Sequence, residues 1–151
     1  MTAPPVNIHG TAIVVGTTGL LFVGPSGCGK TSLAHACLSA AASRGLYARL
    51  ISDDQVFLTF PDGRPLALRP DSIRNMMELR GSGIVHVPSV RRARLHHVVL
   101  PGSLAGMSRL PEEDERFELR AGCELPLVRI AREMPDPLAC LARFVPFLGL
   151  S

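Results

Sequence analysis

Residues 20–31 read Leu20-Leu21-Phe22-Val23-Gly24-Pro25-Ser26-Gly27-Cys28-Gly29-Lys30-Thr31, four apolar residues running into Gly-x-x-x-x-Gly-Lys-Thr. The apolar run predicts a buried strand. Residues 32–44 predict a helix, because Leu33, Ala34, Cys37, Leu38 and Ala41 share one face at helical spacing and Gly45 supplies a stop. A glycine-rich loop between strand and helix is what a phosphate cradle needs. Its glycines let backbone N–H groups turn inward without Cβ clashes. The helix start adds unpaired donors and a partial positive charge. Gly24, Pro25, Ser26, Gly27, Cys28, Gly29, Lys30, Thr31 and Ser32 are therefore the expected nucleotide-binding residues. Lys30 is placed to reach the β- and γ-phosphates and the Thr31 hydroxyl to ligate Mg²⁺. The other reading is a glycine-rich turn with no ligand.

Composition sharpens that lysine. The chain has 16 basic residues, of which 15 are arginine, so Lys30 is its one lysine. A compact, flexible ammonium suits a phosphate cradle better than a planar guanidinium fork, although codon bias toward Arg also yields such a count.

Upstream of the cradle, residues 11–15 and 20–23 predict a β-hairpin across Gly16-Thr17-Thr18-Gly19. Downstream, residues 48–52 predict a short strand ending in Asp53-Asp54. If that strand lies beside the cradle strand, its carboxyl end brings both acids near the γ-phosphate. Adjacent residues of an extended backbone point in opposite directions, so one acid can face Mg²⁺ and the other an acceptor hydroxyl. A solvated turn is the alternative for this pair. Residues 56–60 and 65–68 predict a second hairpin around Pro61-Asp62-Gly63-Arg64. Residues 84–87 and 95–100 read as strands, 101–116 as a loop with an acidic run, 125–131 as strand or buried helix, and 137–148 as a C-terminal helix. Residues 1–8 read as a loose arm before a single domain over 9–151.

At 151 residues and 16.2 kDa, with 46% hydrophobic and 19% charged residues, the chain has the makings of one globular α/β domain. No apolar run approaches the roughly 20 residues of a membrane helix, and the N-terminus has no signal-peptide pattern. The expectation is a soluble, cytoplasmic protein without a membrane partner. Cys28, Cys37, Cys123 and Cys140 form no CxxC pair, which argues against a zinc site or disulfide framework. His96-His97 cannot share one face of a strand, which argues against a joint metal site. Residues 69–94 carry Arg69, Arg74, Arg80, Arg91, Arg92 and Arg94 against Asp71 and Glu78, a patch able to steer phosphate-rich or acidic partners. With 5% aromatic residues and no recognition motif, nucleic acid is a poor candidate.

His9-Gly10, the cradle, Ile51-Ser52-Asp53-Asp54-Gln55-Val56, and Met77-Glu78-Leu79-Arg80-Gly81-Ser82-Gly83-Ile84 together resemble the catalytic domain of HPr kinase/phosphorylase. In that family a His-Gly precedes the cradle, an Ala-Asp-Asp follows the next strand, and a Glu-Ile-Arg-Gly-Leu-Gly signature comes after. The match covers residues 9–88 and resembles the short, single-domain members without the additional N-terminal domain. The resemblance implies a PEP-carboxykinase-like P-loop kinase fold with a central sheet, hairpins and one major helix after the phosphate loop. It implies ATP and Mg²⁺ as cofactors and a serine of an HPr-like phosphocarrier as acceptor, with phosphorolysis as the reverse activity. Asp53 then takes the seryl proton, His9 stands near the reacting phosphate, and Thr31, Asp54 and Glu78 surround Mg²⁺. Arg80 would neutralise phosphate charge. A homo-oligomer, a hexamer in the family, is also implied. Gly122-Cys123-Glu124 departs from a Gly-Arg-Asn of full-length members, so the kinase direction is the firmer half. The alternatives are a kinase for a small-molecule hydroxyl and a nucleotide-binding module that transfers nothing.

Overall fold

The computed structural model describes residues 4–72, 75–108 and 110–146. Arg74 of the arginine-rich segment lies outside them. The hairpin around the cradle forms as β2 (Thr11–Val15) and β3 (Thr18–Phe22), antiparallel with Val15 opposite Thr18. Its loop is the two-residue Gly16-Thr17, tighter than the four-residue turn read from sequence, and Gly16 takes the left-handed φ of 61° that such a loop needs. Both strands are buried along their whole length. That burial on two faces accounts for unbroken apolar runs in place of an alternating pattern.

Helix α1 (Lys30–Ser43) follows the cradle, and Leu33, Ala34, Cys37, Leu38 and Ala41 are its buried face, as the spacing predicts. Arg44 caps it and Gly45 continues at φ 71°. Strand β4 (Ala48–Ser52) ends at the acid pair. It is not beside β3: β2 lies between them, antiparallel to both, so β4 still runs parallel to the cradle strand and ends at the same edge. The β2–β4 register slips between Ala12 and Ile13, which face Ser52 and Leu50, leaving Ile51 as an extra residue in β4.

The other strands are β1 (Val6–His9), β5 (Gln55–Thr59), β6 (Leu66–Leu68), β7 (Met76–Leu79), β8 (Gly83–His86), β9 (Arg92–Arg94), β10 (His97–Gly102), β11 (Arg116–Arg120) and β12 (Cys123–Ala131). A six-stranded sheet has the order β11-β12-β10-β3-β2-β4, with β10 parallel to both β3 and β12. A four-stranded sheet, β1-β5-β6-β9, covers one face, and β7-β8 form a separate hairpin. Two apolar clusters follow. Ile13, Leu20 and Phe22 pack with α1 on one face, while Ala12, Leu21 and Ile51 pack with Val56, Leu58 and Ala67 of the second sheet on the other.

Two readings are corrected and an open one is resolved. Val6–His9, inside the expected arm, is a strand paired with β5, because alternate residues Val6 and Ile8 pack against the second cluster. The C-terminal helix α2 covers only Pro137–Leu141, and the chain turns before Pro146, whose ring and missing N–H oppose continuation. Residues 147–148 of that reading lie outside the described residues. The ambiguous 125–131 segment is strand, within β12. No helix of the described residues is long and apolar enough to cross a membrane.

Candidate functional site

The carboxyl ends of β3 and β4 and the β7–β8 hairpin surround a cavity of about 280 Å³. His9, Thr11, Ser26, Gly27, Gly29, Lys30, Thr31, Ser32, Asp53, Asp54, Glu78 and Arg80 line it. Six of the nine cradle residues thus face the cavity directly. Gly24 and Pro25 serve it through their carbonyls, which accept hydrogen bonds from Lys30 Nζ at 2.7 and 3.1 Å. Cys28 does not line the cavity. Its Sγ lies 2.8 Å from where a Cβ on Gly24 would sit, so the loop closes over a position that only glycine can fill. Gly27 at φ 84° and Gly29 at φ 104° complete the curve, and Gly29 is the helix N-cap. No side chain caps α1 and no acid occupies its first turn. The donors and partial positive charge of its start are therefore uncompensated by the protein.

Lys30 and Asp53 are each buried at 7% exposure, and Thr11 beside them is fully buried. Asp53 Oδ1 accepts hydrogen bonds from the hydroxyls of Thr11 at 2.8 Å and Thr31 at 2.9 Å. Among the described residues its Oδ2 receives only the backbone N–H of Glu78, at 3.4 Å. One carboxylate oxygen is thus fixed by two donors while the other keeps acceptor capacity. Asp54 diverges from Asp53, but not through an extended backbone. It sits at φ 73° in a turn closed by Gln55 N–H on the Asp53 carbonyl at 2.9 Å. Its exposed carboxylate meets His9 Nε2 at 2.7 Å. Gly10 N–H also donates to the Asp54 carbonyl at 3.1 Å, so the His-Gly pair is tied to the acid pair through both backbone and side chain.

The β7–β8 hairpin supplies the fourth wall. Buried Met77 anchors it to the helix-side cluster, and Glu78 and Arg80 project at the cavity. Arg80 Nη1 comes within 3.2 Å of a Cβ position on Gly27. The structure therefore brings His9, Lys30, Thr31, Asp53, Asp54, Glu78 and Arg80 together. Thr11 was not singled out by sequence: a hydroxyl at the head of an apolar strand carries no signal until its partner, 42 residues away, is known.

Outside the cavity, His96 Nδ1 accepts the Gly19 N–H at 2.9 Å, while His97 is half-buried in β10. Burial pushes both imidazole pKa values down, with positive charge from Arg94 helping at His96. The described residues hold no group of three His, Cys, Asp or Glu side chains able to bind a metal. In the arginine-rich segment, Arg69 bonds the Ser89 hydroxyl at 2.6 Å and Arg91 lies 3.7 Å from Asp71. Gly122, at φ 82°, turns the β11–β12 hairpin.

The family model of the HPr Serine kinase C-terminal domain matches residues 1–93. The chain belongs to this family. HPr kinase/phosphorylase of Clostridium tetani is 35% identical over 88 residues, 58% of this chain and 27% of that protein. The namesake of Lachnoclostridium phytofermentans is 36% identical over 89 residues, again 58% and 27%. The chain thus matches about a quarter of each relative's length. The solved structure of the Hpr(Ser) kinase/phosphatase from Coxiella burnetii superposes with a TM-score of 0.70 at 20% identity, covering 92% of this chain and 97% of that one. The fold is the P-loop kinase type, PEP-carboxykinase-like, of this family, and residues beyond 93 keep it without matching the family model.

Proposed function

We propose that this chain is an Mg·ATP-dependent kinase that phosphorylates a serine of an HPr-like phosphocarrier. The observation that carries the reading is the Asp53 carboxylate, held by Thr11 and Thr31 in the same cavity as the phosphate loop. Lys30 is poised on the Gly24 and Pro25 carbonyls, where a rotation of its flexible stem lets the ammonium meet phosphate oxygens. The cradle N–H groups and the start of α1 take the rest of the polyphosphate charge.

The donor set fits Mg²⁺, which takes oxygen ligands and needs only one or two from the protein when phosphates supply others. Thr31 and Glu78 face the cavity with that chemistry, and Asp54 adds a third oxygen donor now engaged with His9. Held by these residues, Mg²⁺ would neutralise charge developing on the phosphate oxygens.

Asp53 acts as the base. With Oδ1 fixed by two hydroxyls, Oδ2 accepts the proton of the attacking serine hydroxyl as its oxygen bonds to the γ-phosphorus and the bond from that phosphorus to the β–γ bridging oxygen breaks, releasing ADP. His9, braced by Asp54 at 2.7 Å, orients the incoming group, and Arg80 offsets phosphate charge.

Incubation with γ-labelled ATP, Mg²⁺ and an HPr-type carrier tests this reading. Label should appear on serine and vanish with Lys30→Ala. Asp53→Asn should bind ATP yet lose transfer by about 10²–10⁴-fold, the usual contribution of a positioned base. Full transfer by Asp53→Asn would overturn the base assignment. ATP binding without serine label would overturn the acceptor, leaving a small-molecule hydroxyl or a silent nucleotide sensor.

A further inference from the structure

The β7–β8 hairpin carries two charged groups of the site, Glu78 and Arg80, yet it pairs with no other strand among the described residues. A two-stranded hairpin alone is marginal in water, so its position depends on what ties it to the rest of the fold. Buried Met77 and half-buried Val85 and Val87 seat it on the helix-side core. Apolar packing is non-directional, and holds the hairpin down without fixing where Glu78 points.

The directional tie lies at the hairpin's base. Asn75, the residue before β7, sits at the left-handed φ of 57°, and its carbonyl accepts the Val87 N–H at 2.9 Å. Its side-chain Oδ1 accepts the Ser89 hydroxyl, whose oxygen in turn accepts Arg69 Nη1 at 2.6 Å. A hydroxyl has one proton to give, so the guanidinium on one side commits that proton to Asn75 on the other. Among the described residues the other polar tie is Glu78 N–H on Asp53 Oδ2, at 3.4 Å too long to set the hairpin by itself.

Ser89 is itself fixed to β4. Leu50 donates its N–H to the Pro88 carbonyl at 3.0 Å and accepts the Val90 N–H at 2.9 Å, clasping Ser89 between two backbone bonds. The strand that ends at Asp53 therefore also holds, through Ser89 and Asn75, the hairpin that brings Glu78 and Arg80 to the opposite wall. Arg91, by contrast, meets Asp71 at 3.7 Å with both side chains exposed.

We propose that Arg69, which does not line the cavity, is a positioning residue for its metal and phosphate end: through Ser89 and Asn75 it sets where the hairpin holds Glu78 and Arg80. The inference rests on the nucleotide and Mg²⁺ reading above and gives one arginine of the 69–94 segment a role inside the fold.

The charge of Arg69 makes the test discriminating. Removing a cation by its field alone favours Mg²⁺, whereas a displaced Glu78 weakens its binding, so the two effects have opposite sign. A fluorescent ATP analogue bound to the full chain at rising Mg²⁺ reads this without an acceptor. Arg69→Ala and Ser89→Ala should each raise the half-saturating Mg²⁺ by about tenfold or more, the usual cost of losing an outer partner of a metal ligand. Arg69→Lys, whose ammonium still donates to Ser89, should return within about threefold of wild type. The double variant should shift no further than either single one, because both cut the same chain of bonds. Arg91→Ala, with the same loss of charge, should stay within about twofold. In the nucleotide-free protein, hydrogen exchange over residues 76–86 should quicken in Arg69→Ala while residues 30–43 keep their protection. An unchanged or lowered Mg²⁺ requirement in Arg69→Ala and Ser89→Ala, or shifts that add in the double variant, would overturn the assignment. A wild-type chain that binds no nucleotide, or binds it regardless of Mg²⁺, would instead overturn the reading on which it rests.

Discussion

Gly19→Ala is the sharpest test of how the cradle strand is seated. Gly19 lies within β3, and an added Cβ would stand 1.9 Å from the Arg94 carbonyl oxygen and 2.9 Å from its carbon. These are backbone atoms, so no side chain can swing aside. The segment beyond β9 must move as a unit, and two hydrogen bonds hold it in place. Gly19 N–H donates to His96 Nδ1 at 2.9 Å, and His96 N–H donates to the Gly19 carbonyl at 2.9 Å. Overpacking costs about 1–3 kcal/mol. Losing or stretching the two bonds adds about 0.5–1.5 kcal/mol each. The sum is about 2–6 kcal/mol, a large share of the roughly 5–15 kcal/mol that holds a domain folded. Urea unfolding of wild type, Gly19→Ala and Gly106→Ala gives the comparison, since the last places its Cβ in open space and should stay within about 0.5 kcal/mol. A loss below about 1 kcal/mol for Gly19→Ala would refute the close approach of the β9–β10 segment to the cradle strand.

Other outcomes follow from the same geometry. Thr11→Val keeps shape but removes a fully buried donor to the Asp53 carboxylate, so it should lose about 1.5–3 kcal/mol in urea unfolding and slow phosphate transfer more than it weakens ATP binding. Acid should destabilise the fold. His96 and His97 have folded pKa values below the 6.5 of the unfolded chain, so below that pH the unfolded state binds more protons and stability falls. Urea midpoints that do not drop between about pH 7.5 and 5.5 would contradict this. Cys37 should resist iodoacetamide at about pH 8 in the native protein and react once unfolded, because burial above all pushes its thiol up to about 12. Peptide mass spectrometry reads that difference.

Much of the site was legible because its signals are local. The cradle is a contiguous run, the helix after it has a clean apolar face, and the acid pair ends a short strand that the structure reproduces as Ala48–Ser52. What sequence does not carry is register across the sheet. Nothing in residues 11–15 announces that β2 separates the cradle strand from the acid strand, or that Thr11 meets Asp53. β9, three residues with two arginines, is too short and polar for a strand signal, yet it is held as the edge of the second sheet by pairing with β6. Pro146 explains the overlong helix: the apolar periodicity continues to Val145, which is buried, but proline ends the helical backbone first.

The extra residue in β4 decides more than local twist. Side chains of a strand alternate, so shifting phase by one residue exchanges its two faces. Ile51 is the residue that shifts it, and it does so just before Asp53-Asp54. With Ser52 opposite Ala12, the next residue, Asp53, comes abreast of Thr11; an even pairing that set Ile51 opposite Ala12 would bring Ser52 to Thr11 instead. Whether a serine or an aspartate meets Thr11 beside the phosphate loop is thus settled by counting, through a single inserted residue.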